Sequence, residues 1–344
     1  MKPIPIALVG LGWVGTHRHL PILRSDPRFR LVGLIDQMPG RAAEAAGKLG
    51  LLHSPEAHIL REVPWLNQVE AISIATSPWS HAPLVEEARE LGLHVLTEKP
   101  FTVELDDAIA LAEPGPQSFA VMHNFQFANS ALRLWADMAA GRLGAIRSIS
   151  ANQMSNPRRR LPTWYQDLPL GLFYDESPHF FYLLRRAAPG LVLKNVDLVP
   201  GRDGATPELI TARYAAPGPD GDIPVSLSMR FTSPLSEWYL AVQGEEALGI
   251  VDLFRDIYLH LPNDGLHTTK TVLRTSLIAS LGHWGAHIGS GIGHLTGHLH
   301  YGVDQIFARF AEGIAAGRDG ALIDRAAALD VVRMQHDIIS AAGR

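Results

Sequence analysis

Ile4-Pro5-Ile6-Ala7-Leu8-Val9 runs directly into Gly10-Leu11-Gly12-Trp13-Val14-Gly15, and the reading of this junction decides the fold. The apolar, β-branched run is a buried strand, and the glycines fall where a strand turns into a helix. Gly10 permits the tight turn, Gly12 lets backbone approach a pyrophosphate, and Gly15 allows close helix–strand packing, with the helix N-terminus facing the anion. Trp13 and Val14 lie inside this loop and are counted with the glycines as cofactor-binding residues. A second strand, Arg30–Ile35, is closed by Asp36, at the distance from the glycines where a carboxylate accepts the ribose hydroxyls of a dinucleotide. Asp36 repels a 2′-phosphate and so favours NAD. Arg41 is close enough in sequence to leave NADP open.

Outward from the junction, strands and helices alternate, the signature of a parallel sheet with crossover helices. Ala42–Leu49 reads as a helix, Ala71–Ala75 as a strand, Pro83–Leu91 as a helix and His94–Leu96 as a strand ending at Glu98-Lys99-Pro100. Val103–Ala112 is a helix and Ser118–Met122 a final strand, which gives a doubly wound Rossmann domain over residues 1–123. From Asn124 the pattern changes. A helix (Ser130–Ala140), a Gly141–Gly144 turn and a strand from Ala145 to about Met154 precede a short helix that begins near Asp175 or Ser177 and ends at Arg186. Strand candidates then follow one another without helices: Leu193–Val199, Glu208–Ala215, Val225–Phe231, Trp238–Val242, Leu248–Leu253 and Asp256–Leu261. Such a run implies a mainly antiparallel open sheet, so residues 124–344 form an α+β substrate and oligomerisation domain. Helices Val303–Ala316 and Arg325–Ala341 close the chain and are candidates to pack back on the Rossmann domain.

Composition narrows the function. A chain of 344 residues with 47% hydrophobic and 19% charged residues can bury two cores. A formal charge of −5 gives no basic field for phosphate backbones, so nucleic acid is excluded as an expected partner. With 0 cysteines there are no disulfides, thiolate chemistry or Cys-zinc sites, which fits a reducing compartment, the cytoplasm. The N-terminal apolar run reads as the first strand rather than a secretion signal, because it ends in the glycine motif. Thr275–Val303 contains no Asp, Glu, Lys or Arg. Its histidines and glycines argue against a membrane span and for a packed, buried segment. His283/His287 and His294/His298 have the i, i+4 spacing of helical metal ligands, but the interleaved glycines are expected to break that helix, so no metal is expected.

The chain resembles the glucose–fructose oxidoreductase, inositol dehydrogenase and rhizopine-catabolism group, the Gfo/Idh/MocA oxidoreductases. The resemblance rests on the glycine motif, Ala75-Thr76-Ser77-Pro78 with His81, the stretch Ala88 to Pro100, and the Gly141-Arg142-Leu143-Gly144 turn. It implies that Thr76, Pro78, His81, Glu98, Lys99 and Pro100 border the cofactor. Lys99 would reach the nicotinamide ribose and the substrate oxygen, often beside a cis peptide. Asp175-x-x-x-His179 matches the second signature of the family. One helical turn separates the two, so both share a face. Read without the family, an Asp–His pair at this spacing is more often structural, because helix starts favour Asp for capping. With it, Lys99, Asp175 and His179 are the catalytic set: His179 takes a hydroxyl proton and Asp175 orients the imidazole or the substrate. Asn124, Gln126, Arg158 and Trp164 join these three as substrate-binding residues. Of the run Arg158-Arg159-Arg160, one reading is a solvated surface and the other an anion clamp.

Two departures from the family pattern concern the substrate. The expected glycines around Asp175 are replaced in Leu172-Phe173-Tyr174-Asp175-Glu176-Ser177-Pro178-His179, and Gln126 stands where relatives often carry arginine. Ser177-Pro178 suits an N-cap and first helical position, so the helix is expected to start late. The implied activity is NAD(P)-dependent hydride transfer to or from a secondary alcohol of a sugar, polyol or similar small compound. Alternatives are a glycosidase-like enzyme with internally recycled NAD, and a non-catalytic nicotinamide-binding regulator. Relatives form dimers or tetramers through the outer face of the second sheet, and a homodimer or homotetramer without membrane association is expected here.

Overall fold

The computed structural model describes residues 2–202, 204–297 and 299–343. The chain divides into two compact units, Met1–His123 with Val303–Met334, and Asn124–Gly302 with Gln335–Arg344.

The first unit is a Rossmann fold. Six parallel strands lie in the order β3-β2-β1-β4-β5-β6: β1 (Ile4–Val9), β2 (Phe29–Ile35), β3 (Leu52–Ser54), β4 (Ala71–Ile74), β5 (His94–Thr97) and β6 (Phe119–Val121). Strand β3 was not foreseen, because Leu52-His53-Ser54 is too short to show a periodicity. β1 and β4 are buried along their whole length, as strands covered on both faces must be. Helices α1 (Leu20–Ser25), α2 (Arg41–Gly47), α3 (His81–Glu90) and α4 (Leu105–Leu111) make the crossovers. The order reverses between β1 and β4, and ligands bind such sheets at the carboxyl ends of strands flanking that point.

The late part of the chain completes this unit. Phe307 and Phe310, both fully buried, pack on Phe29, the first edge to face and the second stacked, with ring centroids 5.7 and 6.4 Å away. The outer edge of β6 is closed by donors and acceptors from residues 317–325. Val121 N–H donates to Ile323 O at 2.9 Å and Phe119 N–H to Asp319 Oδ1 at 2.8 Å. Arg325 clamps the same Asp319 at 2.6 Å. An edge strand so covered cannot template pairing with another chain.

In the second unit, α5 (Asn129–Ala139) precedes β7 (Ile146–Met154), and α6 (Leu172–Ala187) precedes the run from β8 (Val192–Val199) through β9 (Leu209–Ala216), β10 (Ile223–Arg230), β11 (Glu237–Gly244) and β12 (Ala247–Asp252) to β13 (Ile257–Pro262). The seven strands lie in the order β13-β12-β11-β7-β10-β9-β8. Every neighbouring pair is antiparallel except β7 with β10, which run parallel. Period-2 alternation sends Ile149, Ala151, Val225, Leu227, Trp238 and Leu240 inward. The outward set includes Ser150, Asn152, Thr211, Arg213, Ser226 and Ser228. Over β7, β9 and β10 that outer face is therefore polar.

Two expectations fail here. α6 starts at Leu172, not at Asp175 or Ser177, and carries Pro178 inside it. The segment expected to be broken and buried is an unbroken 27-residue helix, α7 (Thr269–Leu295), most of it exposed. Glycine lowers helix propensity by only about 1 kcal/mol per residue, so spaced glycines between good helix formers do not interrupt it. α8 (Val303–Ala316) and α9 (Arg325–Ala341) follow the expected bounds. Among the described residues no helix is long and apolar enough to cross a membrane.

Replacing Phe307 by alanine removes the ring that joins α8 to Phe29 and His19, and is expected to destabilise the first unit by about 4 kcal/mol. Urea unfolding, with hydrogen exchange at β1 and β2 as the local probe, measures it. Unchanged protection of those strands would contradict the packing described.

Candidate functional site

The end of β1 forms a cradle. Gly10 has φ of +91°, and a Cβ there would lie 2.6 Å from Ala75 O. At Gly15 a Cβ would meet Gly10 O at 2.0 Å, whereas at Gly12 nothing lies within 4 Å. Two glycines are thus required by the fold, while Gly12 leaves backbone bare toward open space, as a close-lying pyrophosphate needs. Helical structure starts at Trp13, passes through a π-type stretch, Gly15–His19, and continues into α1. Trp13 projects into solvent with His17 stacked on it and the Arg18 guanidinium 5.3 Å from its ring centre. Asp36, buried at the end of β2, ties this loop to the next. Leu11 N–H donates to its Oδ2 at 2.6 Å, Met38 N–H to its Oδ1 at 2.8 Å, and Arg41 Nη1 stands 3.4 Å from Oδ2. The residues present fit a dinucleotide: bare backbone at the switch point, with a carboxylate at the ribose position.

Across the switch point, β4 and β5 end in a second group. Ser80 Oγ donates to Thr76 Oγ1 at 2.8 Å, next to buried Pro78. His81 is fully enclosed, with Nδ1 2.8 Å from Pro100 O and Nε2 3.3 Å from Thr76 O. Burial pushes its imidazole below the usual range, so as a neutral ring it can donate to only one of these carbonyls, Pro100 O lying at the shorter distance. The Lys99-Pro100 peptide is cis, and Lys99 is half-buried. Beneath it Glu98 is held by a residue that sequence reasoning missed. His19 Nε2 lies 2.9 Å from Glu98 Oε1, and its Nδ1 lies 2.8 Å from Ser73 Oγ. Lys99 N–H donates to the other Glu98 oxygen at 3.1 Å. A histidine buried in the helical turn after the glycine loop is the only sequence trace of this pairing.

Burial alone raises the Glu98 carboxyl, but the hydrogen bond and charge of His19, with Lys99, outweigh it and hold it below the ordinary 4.5. A group lowered on folding contributes stability above its unfolded value and loses it as pH falls through the folded one. Glu98→Gln is therefore expected to cost about 2 kcal/mol at neutral pH and to flatten part of the stability loss below pH 4.5. Thermal melts across pH 3 to 7 check both, the range being roughly that over which native carboxylates titrate. A variant as stable as wild type at pH 7 would contradict the role given to Glu98.

In the second unit α6 carries the matched pair. Asp175 and His179 are both buried, one turn apart. His179 Nδ1 lies 2.8 Å from Tyr182 Oη, which also accepts the Phe125 N–H at 3.1 Å. The rings of Phe125 and Trp238 flank the imidazole at 5.0 and 5.4 Å. Inside the helix, Pro178 has no N–H for the carbonyl of Tyr174. Gln335 Nε2 donates to that oxygen at 2.7 Å and reaches Ser177 Oγ at 3.2 Å. This side-chain substitute lets the helix run through a proline that normally breaks it.

Around this pair, Asn124 Nδ2 donates to Tyr301 O at 2.9 Å, and Gln126 is buried, its carbonyl accepting from Trp135 Nε1 and Arg186 Nη1. The arginine run divides. Arg159 pairs with Glu176 on α6, and Arg158 is exposed. Trp164 is half-buried ahead of α6. The reason for excluding a metal at the histidine segment does not hold, since α7 is continuous. His283 and His287 stack in parallel with centroids 6.2 Å apart. His298 lies outside the described residues, and among those described no three potential ligands converge.

A parallel sheet ordered 3-2-1-4-5-6, with its glycine cradle and ribose-position carboxylate, defines a dinucleotide-binding protein. Residues 4–116 match the Gfo/Idh/MocA family, described as an oxidoreductase family with an NAD-binding Rossmann fold. The chain is 30% identical over 210 residues to the oxidoreductase YdgJ of Escherichia coli strain K12, covering 59% of this chain and 58% of that protein. It is 31% identical over 108 residues to scyllo-inositol 2-dehydrogenase (NAD(+)) of Bacillus subtilis strain 168, a stretch covering 31% of each. The matches thus span less than two thirds of these relatives. The fold resembles that of levoglucosan dehydrogenase in complex with NADH, with a TM-score of 0.75 at 15% identity over 99% of this chain and 97% of that one.

Proposed function

We propose that the chain is an NAD-dependent oxidoreductase of the cytoplasm that moves a hydride between nicotinamide and a secondary alcohol of a sugar, polyol or similar small hydroxylated compound. The observation that carries this reading is the setting of His179, a buried imidazole fixed at one nitrogen by Tyr182 with Asp175 one turn away on the same helix. A general base must be oriented before it is useful, and such second partners select the tautomer.

The nicotinamide supplies the hydride acceptor when bound. The protein's own residues do the rest. Gly10, Gly12 and Gly15 bring backbone to the pyrophosphate, with Trp13 and Val14 in the loop, and Asp36 accepts the ribose hydroxyls. Thr76, Pro78, His81 and Pro100 shape the strand ends that position Lys99, and Glu98 anchors them from below. Tyr182 Oη holds His179 at Nδ1, and Nε2 is the nitrogen assigned to accept the substrate's hydroxyl proton. Lys99 stabilises the alkoxide as it forms, and Asp175 holds a neighbouring hydroxyl or the imidazole. Asn124, Gln126, Arg158 and Trp164 supply substrate contacts. Arg159 is paired with Glu176, and Arg158, which is exposed, is the member of the run assigned to an anionic group.

Asp36 is expected to make NADH bind at least about tenfold tighter than NADPH, about 1.4 kcal/mol. Calorimetric titration decides it, and equal affinities would give Arg41 the governing role in the adenosine pocket.

His179→Ala is expected to lower kcat by ~10²–10⁴ with little change in NADH affinity. Tyr182→Phe, which keeps the ring and deletes only the hydroxyl, is expected to lower it about tenfold, one hydrogen bond's worth. In wild type the oxidation rate rises with pH as His179 loses its proton, and His179→Ala lacks that limb. A screen of sugars, polyols and hydroxy acids by NADH absorbance supplies the substrate. Steady-state kinetics over pH, with fluorescence titration of NADH, then measures both variants. A His179→Ala protein retaining more than about half of wild-type kcat would sink the assignment.

A further inference from the structure

α7 presents an apolar stripe to solvent. Leu273, Leu277, Leu281, Trp284, Ile288, Ile292 and Leu295 are 57 to 91% exposed. Their spacing is 4, 4, 3, 4, 4 and 3 residues, an 11-residue repeat. At about 3.67 residues per turn this nearly matches an α-helix, so the stripe runs almost straight along the roughly 40 Å of α7. Beside it, a Cβ added to Gly285 or Gly289 would meet nothing within 4 Å, which leaves room for close approach. The helix rests on β13, where a Cβ on Gly282 would come within 3.5 Å of Leu259 Cδ2, so the stripe is not the side that anchors it.

We propose that a second copy of this chain covers the stripe, α7 packing antiparallel against its own copy about a two-fold axis near Trp284. Three arguments select that occupant. First, the seven side chains expose roughly 800 Å², what each partner contributes to a standard stable interface and more than a monomer usually leaves bare. Second, the stripe is its own mirror. Counted from Trp284, apolar positions fall at −11, −7, −3, +4, +8 and +11, so reversal returns each to within one residue of another. A two-fold interface requires that self-complementarity. Third, Thr275–Val303 carries no charged residue. A helix lying on a membrane surface has a polar face rich in Lys and Arg along its length, and a foreign partner is commonly selected by charge; α7 carries cations only in its first two turns, Lys270 and Arg274, and none from Thr275 to Leu295.

The test uses the full-length, untagged chain. Sedimentation velocity at micromolar concentration is expected to give a species of at least twice the 37.5 kDa chain. Leu281→Glu with Ile288→Glu is expected to weaken that association by about 100-fold or more, halving the sedimenting mass while NADH binding persists. Because the chain has 0 cysteines, single introduced ones report geometry directly. Trp284→Cys should form an interchain disulfide on oxidation. Leu273→Cys should cross-link to Leu295→Cys but not to itself. A wild-type monomer, an oligomer indifferent to the double substitution, self-linking of Leu273→Cys, or flotation with phosphatidylcholine–phosphatidylglycerol vesicles in place of self-association would each overturn the proposal.

Discussion

Pro178 removes one backbone donor from α6, and a single amide, that of Gln335, replaces it on the Tyr174 carbonyl. α6 is the helix on which the second unit is built: every residue in it except Arg185 and Arg186 is buried. Leaving a carbonyl unpaired in that setting costs about 1–3 kcal/mol and invites a kink one residue before His179. The substitute bond keeps the helix continuous, and continuity is what puts Asp175 and His179 on one face.

The first unit solves a similar difficulty by similar means. Lys99 sits on a strand end whose neighbour Glu98 is a buried carboxylate, a group that destabilises unless it is fully satisfied. His19 and the Lys99 N–H satisfy it, and Ser73 holds the far side of the imidazole. In both units the chemically interesting residue stands on a support made from polar groups distant in sequence.

That distance explains what could be read from the sequence and what could not. Periodicity and glycine spacing depend on neighbours within one turn or one strand. The Rossmann alternation, the glycine cradle, the second sheet and the bounds of α8 and α9 were accordingly legible. Gln335 is 161 residues from the carbonyl it serves and His19 is 79 from Glu98, so no local pattern announces either pair. The late helix start inferred from Ser177-Pro178 followed the usual capping preference, which a tertiary bond overrode. α7 misled for the opposite reason. Its glycines and lack of charge pointed to irregular, buried chain, whereas the leucine and isoleucine spacing between them is helical and outward-facing.

The closing contacts of both units come from residues 319–335, later in sequence than every strand, and this orders events during synthesis. A ribosome that has made the first 300 residues has released every strand of both sheets, yet β6 still lacks Ile323 and Asp319 along its edge, and Tyr174 still lacks Gln335. Until residues 319–335 emerge, the nascent chain carries an open sheet edge and an incomplete helix, the features that recruit chaperones or neighbouring nascent chains. Residues far from the proposed chemistry in sequence thus determine when the two units stop being vulnerable, and translation speed across α8 and α9 becomes a determinant of yield.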